Sequence, residues 1–183
     1  LGIFPEHTMH FPWIRKAQPK KVLNLFAYSG GATMAAALAG AEVCHVDASK
    51  GMVAWAKENA ALNGLQEAPI RYIVDDVMAF LKREIKRGST YDMILTDPPT
   101  FGRGSKGQVF KIEEAIQPML EMLFELNPKS ILFTCHTPGW TPITLEQLLN
   151  QTFQGGTFES GEMCLEDLSG KKLPSGSYAR WIH

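Results

Sequence analysis

Tyr91-Asp92-Met93-Ile94-Leu95-Thr96-Asp97-Pro98-Pro99 decides how the chain is read. Tyr91–Thr96 is a short apolar run of the kind that forms a buried strand, and it ends abruptly in Asp-Pro-Pro. Both prolines hold φ near about −65° and lack an N–H. The strand is therefore expected to stop in a stiff turn. The Asp97 carboxylate and the carbonyl between Pro98 and Pro99 are then fixed at the carboxyl edge of a sheet, where open α/β sheets bind their ligands. A rigid carboxylate beside a rigid carbonyl suits a flat nitrogenous base held by its edge.

Upstream, Val22-Leu23-Asn24-Leu25-Phe26-Ala27-Tyr28-Ser29-Gly30-Gly31 is a second strand-to-turn signal. Strand and helix patterns alternate from about Lys21 to Gln151, as in a βα repeat with a parallel sheet. The spacing predicts strands over Val22–Ala27, Ala41–Ala48, Ile70–Val74, Tyr91–Thr96 and Ser130–Cys135. It predicts helices over Gly31–Ala39, Lys50–Leu62, Val77 through Leu81, Ile112–Leu126, and after Thr141 and Thr144. Ser49 is placed to cap the Lys50 helix, and Asn63-Gly64 to stop it. After Gly155-Gly156 the pattern changes. Phe158–Leu165 and Ser177–Ile182 read as two strands with no helix between them, an antiparallel edge hairpin.

The Gly30-Gly31 turn allows close backbone approach beside a helix N-terminus with free N–H groups. It lacks the G-x-G-x-x-G of dinucleotide sites, so a cofactor without a pyrophosphate fits better than a nicotinamide. The alternative is a plain tight connection. Asp47 ends the second strand, where an acid accepts both hydrogen bonds of a ribose diol; its competing role is a helix cap. Asp75-Asp76 ends the third strand, where one carboxylate or the adjacent backbone could read an adenine amino group; a solvated turn is the alternative for the pair. With Asp97, acids end three successive strands at one rim.

The chain's 183 residues, 45% of them hydrophobic, are enough for one globular domain with a proper core. A net charge of −1 carries no whole-chain signature of nucleic-acid binding, so any basic surface must be local. Cys44, Cys135 and Cys164 are odd in number and widely spaced, and the histidines show no ligand spacing. Reduced thiols, a cytoplasmic setting and no metal site are expected. No apolar stretch approaches the ~20 residues of a membrane span, and no secretory signal is visible. The chain starts at Leu1, as a fragment would, so a further N-terminal module is left open.

Leu25-Phe-Ala-Tyr-Ser-Gly-Gly31, Val46-Asp-Ala-Ser49, Asn59-Ala-Ala-Leu-Asn-Gly64, Val74-Asp-Asp76 and Asp97-Pro-Pro-Thr-Phe101, in that order, resemble class I S-adenosylmethionine-dependent methyltransferases. Within that superfamily they look most like bacterial large-subunit ribosomal RNA methyltransferases of the cytosine-C5 and guanine-N7 branches. The resemblance covers nearly the whole chain. It implies a Rossmann-like α/β fold, with a mostly parallel seven-stranded sheet, an antiparallel C-terminal edge hairpin and helices on both faces. Residues 1–20 would form a segment covering the cofactor site, and 21–183 the methyltransferase domain. S-adenosylmethionine would be the cofactor, S-adenosylhomocysteine its product, and RNA, in particular rRNA, the partner.

By the same resemblance, Phe26, Ala27, Tyr28, Ser29, Gly30 and Gly31 cradle the methionine part. Asp47, with Ala48 and Ser49, holds the ribose. Asp76 with Val77 reads the adenine, Asp75 beside them is a further expected cofactor contact, and Asp97 faces the reaction centre. Gly2-Ile-Phe-Pro-Glu-His7 resembles a cofactor-covering segment in which the family often has Asp-Gln-Arg. Glu6-His7 departs from that pattern, and Phe4 and Glu6 are the expected contacts.

Two chemistries compete. Cytosine C5 is a poor nucleophile and needs a cysteine thiolate added at C6. Cys135, in Phe133-Thr-Cys-His136, matches the position of that cysteine, and His136 would favour the thiolate if its ring approached the sulfur. The family's Ser-Cys-Ser context is absent, and packing is the alternative role. Cytosine C5 is the first reading. Methylation of a guanine nitrogen, with Asp97, Pro98 and Pro99 orienting the base and no covalent intermediate, is the second. A non-catalytic RNA- or cofactor-binding module is the third. Phe101 is placed to stack on a base or to anchor its loop. Gly102–Gly107 reads as a flexible loop whose Arg103 and Lys106, extended by Lys111, offer phosphate contacts.

Overall fold

The computed structural model describes residues 2–103, 107 and 109–183. A 3₁₀ turn (Pro5–His10) and α1 (Phe11–Ala17) lead into β1 (Lys21–Leu25), followed by α2 (Gly31–Leu38), β2 (Glu42–Asp47), α3 (Lys50–Leu62) and β3 (Ile70–Val74). Next come α4 (Val77–Lys86), β4 (Met93–Thr96) and a small antiparallel ribbon, β5 (Phe101–Arg103) with β6 (Val109–Lys111). The chain closes with α5 (Ile112–Glu125), β7 (Ser130–Cys135), α6 (Pro142–Thr152), β8 (Thr157–Glu166) and β9 (Lys172–Ile182). One seven-stranded sheet runs in the order β3-β2-β1-β4-β7-β9-β8. Its first five strands pair in parallel, and β9 returns antiparallel between β7 and β8. The edge hairpin thus forms as the sequence implies, with β8 outermost.

Alternation along the central strands shows why both faces are covered. Leu23 and Leu25, Ile94, and Ile131 and Phe133 face one core with Phe80, Ile116 and Leu149 from α4, α5 and α6. Val22, Met93, Leu95 and Leu132 face the other, with Ile14 of α1 and Ala35–Ala37 of α2. A one-residue slip would exchange the two sets. Residues before β1 therefore belong to the core as well as to the site: Ile14 is fully buried.

Strand ends differ from the sequence reading for identifiable reasons. β1 stops at Leu25 because Phe26 turns to φ +53°. Tyr91 and Asp92 precede β4: the Tyr91 hydroxyl donates to Glu84 (2.7 Å), and the Asp92 carboxylate accepts from the Lys20 and Lys21 amides. α4 runs on to Lys86, since Phe80, Leu81 and Glu84 keep one buried face. Of the segment read as a flexible loop, Gly102 and Arg103 belong to β5, which pairs with β6 beyond it, and residues 104–106 lie outside the described residues. Among the described residues, no helix is long and apolar enough to cross a membrane.

Candidate functional site

Strand order reverses between β1 and β4, so a crevice opens above their carboxyl ends. A cleft of about 630 Å³ lies there, lined among others by Asp47, Asp76, Asp97 and Pro98. A smaller inner pocket of about 60 Å³ adjoins it, and Phe4, Phe26, Tyr28 and Asp97 line both.

The turn after β1 is strained in a patterned way. Phe26, Tyr28 and Gly30 all have left-handed φ (+53°, +48° and +89°). For Phe and Tyr this is a sparsely populated conformation that surrounding structure must enforce. The Tyr28 amide donates to Asp47 Oδ2 (2.9 Å), the Ala27 amide to the Val46 carbonyl (3.1 Å), and Asn59 Nδ2 to the Ser29 carbonyl (3.0 Å). Gly30 does not line the cavity. A Cβ there would meet Ala56 Cβ at 3.1 Å, so its place is a left-handed helix cap packed on α3. Ala27, Ser29 and Gly31 do line the inner pocket.

Asp47 Oδ1 also accepts from the Ser49 amide (2.8 Å), and Ser49 caps α3 by accepting from Met52. Each Asp47 oxygen keeps a second lone pair for the cleft. Ala48 and Ser49 line the cleft beside it. If Asp47 holds a ribose diol, as the resemblance implies, Asp47→Ala is expected to weaken S-adenosylhomocysteine about 30- to 100-fold in calorimetry, by removing both acceptors and a brace of the strained turn.

Asp76 and Val77 reach the cleft, and Asp76 caps α4 by accepting from Ala79 (2.9 Å). Asp75 does not reach it. Its carboxylate pairs with Arg83 and accepts from the Asp76 amide, so it braces the turn.

Asp97 sits at the centre, with its side chain 26% exposed. It accepts from Thr134 Oγ1 (2.8 Å), and its oxygens lie 3.4 Å from His136 Nδ1 and 3.7 Å from His7 Nε2. Burial opposes its charge, but His136, His7 and Thr134 together outweigh burial and hold the carboxyl below its usual range. The hydrogen bond to Asp97 in turn raises His136, against its burial. Burial lowers His7. His136 Nε2 contacts Glu6 (3.0 Å), which also accepts from Ser175 (3.0 Å). Glu6, expected as a cofactor contact, is instead buried behind His136 and orients it; Phe4 does face the cleft. His7, Asp97 and His136 have ligand atoms within 4.8 Å of one another, a geometry that would also admit a cation. Linear spacing of the histidines gave no hint of it, and a proton on His136 satisfies the same carboxylate.

Cys135 is 1% exposed and lines neither cavity. Burial pushes its thiol up, and its sulfur accepts from the Thr137 amide (3.4 Å). The ring contacts of His136 run to Glu6 and Asp97, so the neighbour expected to favour a thiolate is engaged elsewhere. Pro99 and Arg103 line the cleft mouth. Phe101 stands 52% exposed on β5, outside the lining. Lys111 is paired with Glu114 (2.8 Å). Lys106 lies outside the described residues.

A family model described as S-adenosylmethionine-dependent methyltransferase matches residues 1–155. Proteins named ribosomal RNA large subunit methyltransferase K/L are similar. One from Shewanella baltica is 39% identical over 57% of this chain and 15% of its own length. One from another Shewanella is 38% identical over 80% of this chain and 22% of its own. The chain thus spans about a fifth or less of these relatives. Among solved structures, a SAM-dependent methyltransferase from Agrobacterium tumefaciens superposes with TM-score 0.94 at 42% identity, covering 99% of this chain and 63% of that one. One from Streptococcus mutans, at 20% identity and TM-score 0.79 over 99% of this chain and 50% of its own, shares the fold.

Proposed function

This chain belongs to the S-adenosylmethionine-dependent methyltransferase family, and on that premise we propose that it methylates a base nitrogen in RNA, with ribosomal RNA as the target. The cleft fits the family's cofactor. It has the size of a small-molecule site. Asp47 would hold the ribose, Asp76 and the first-turn amide of Val77 the adenine, with Phe26 and Val77 as apolar walls, and the strained turn the amino-acid end. Bound there, S-adenosylmethionine supplies a methyl group activated by a sulfonium sulfur.

The position of Asp97 carries the reading. It lines both the cleft and the inner pocket, so one carboxylate borders the cofactor space and the open mouth. With the Pro98 carbonyl it would accept N–H groups of a base and set the nitrogen in line. Phe101 would stack on the base and Arg103 meet a phosphate. Lys111, held by Glu114, has less to offer. The burial of Cys135 favours this route over cytosine C5, and the names of the relatives favour RNA.

Incubation with ribosomal RNA and labelled donor, followed by nucleoside mass spectrometry, tests the proposal. An N-methylated base is expected, with Cys135→Ala keeping at least about half the rate and 5-fluorocytosine RNA giving no covalent adduct. Formation of 5-methylcytosine, or an adduct, would move the activity to C5. Absence of any methyl group in RNA ends the RNA reading.

A further inference from the structure

The inner pocket contains a residue that none of the roles above uses. His10 lines it and is 1% exposed. Arg180 Nη2 lies 2.7 Å from His10 Nδ1. A guanidinium only donates, so Nδ1 accepts and the proton of the neutral ring sits on Nε2. That Nε2–H has no partner among the described residues. A buried donor left unpaired is unfavourable, and such groups are rare without a ligand or water to meet them.

The ring is held as a neutral donor. Burial, then the Arg180 charge, lowers its pKa to about 3. Arg180 is itself fixed: Nη1 meets Glu159 (3.2 Å), and the guanidinium lies over the Trp13 and Tyr178 rings at 4.8 and 4.9 Å. A cation behind Nδ1 polarises the ring and strengthens the opposite N–H as a donor.

The same pocket receives the start of α2. This helix has eight residues, and its cap, Gly30, makes no side-chain cap hydrogen bond among the described residues. Gly31 and Ala32 line the pocket, and first-turn amides have no carbonyl partner within the helix. His10, with its unpartnered N–H, and the start of α2 thus border one small space, a combination suited to an anion; the Asp97 carboxylate, which also borders it, is paired with His136.

Resting on the family's cofactor, we propose that His10, backed by Arg180, is a specificity-determining donor: its Nε2–H and the first-turn amides of α2 receive the α-carboxylate of the cofactor's amino-acid end. The cleft thereby favours nucleosides that carry this end over those that lack it.

Calorimetry with two probes tests this on the whole chain. S-adenosylhomocysteine carries the carboxylate, and 5′-methylthioadenosine lacks it. His10→Ala is expected to weaken S-adenosylhomocysteine about 10- to 100-fold while leaving methylthioadenosine within about twofold. His10→Gln, which keeps an N–H donor, is expected to recover part of the loss. Equal weakening of both nucleosides, or an unchanged homocysteine complex, overturns the proposal. A measurement on the unaltered protein needs no variant: the nitrogen NMR signal of His10 Nε2 is expected to shift with S-adenosylhomocysteine and not with methylthioadenosine. No shift with either overturns the proposal. If the unaltered protein binds neither nucleoside, the cofactor reading itself fails; if both bind and His10 is silent, only this inference does.

Discussion

Asp97→Ala is expected to slow methyl transfer about 1000-fold while S-adenosylhomocysteine affinity changes by no more than about threefold. The carboxylate stands where β4 ends, held by Thr134 and flanked by His136 and His7. These neighbours keep it ionised at neutral pH against its burial. In the proposed reaction a fixed anion there would orient the base and support positive charge that develops on the nitrogen taking the methyl group. Alanine removes both effects and leaves space that water fills. Asparagine keeps a carbonyl acceptor without the charge, so Asp97→Asn is expected between the two, about 10- to 100-fold down. Single-turnover rates at saturating donor, beside calorimetry, separate orientation from binding. An alanine variant retaining more than about a tenth of the rate would mean that the reaction centre lies elsewhere along the cleft.

Much of this arrangement could be read along the sequence because it follows local rules. Apolar runs ending in acids gave the strands and the rim. Ser49 before Lys50 gave a cap, and the structure places it there. Geometry created by long-range packing could not be read. Glu6 and His136 are 130 residues apart, and only the path of β7 beside the N-terminal turn joins them at Asp97. His10 and Arg180 are 170 apart. The pair Asp75-Asp76 looked equivalent in sequence. The start of α4 distinguishes them, since Asp76 takes the cap and Asp75 turns outward to Arg83. Cys135 has a suggestive neighbour in the sequence, but His136 adjoins it along the chain and points its polar atoms elsewhere. The β5–β6 ribbon was hidden by glycines that also suit a loop.

The second large effect is on stability, and it begins at a glutamate the sequence did not single out. Glu84 on α4 is 1% exposed. It accepts from the Tyr91 hydroxyl (2.7 Å) and Arg87 (2.8 Å), and Arg71 of β3 lies 3.2 Å away. Burial alone would raise its carboxyl; hydrogen bonds from Tyr91, Ser89 and Arg87 and the charge of Arg71 outweigh it and bring the pKa down to about 2. Glu84→Ala strands the buried Tyr91 hydroxyl and removes the partner of two cations, so a loss of about 3 kcal/mol is expected. The pH dependence has a definite sign. The folded pKa lies below the carboxyl's ordinary value of 4.5, so the stabilisation is fully present above about pH 4.5 and fades as pH falls toward 2. Urea midpoints at pH 7, 5, 4 and 3 should therefore fall more steeply for the unaltered protein than for Glu84→Gln, and the two curves should converge at the acid end. Parallel curves would show that Glu84 titrates alike in the folded and unfolded chains. The consequence reaches the cleft, because the helix that Glu84 ties to β3 and to the approach of β4 is the one that presents Asp76 and Val77. A loosened α4 should weaken S-adenosylhomocysteine binding several-fold at neutral pH, although Glu84 itself lines neither the cleft nor the inner pocket.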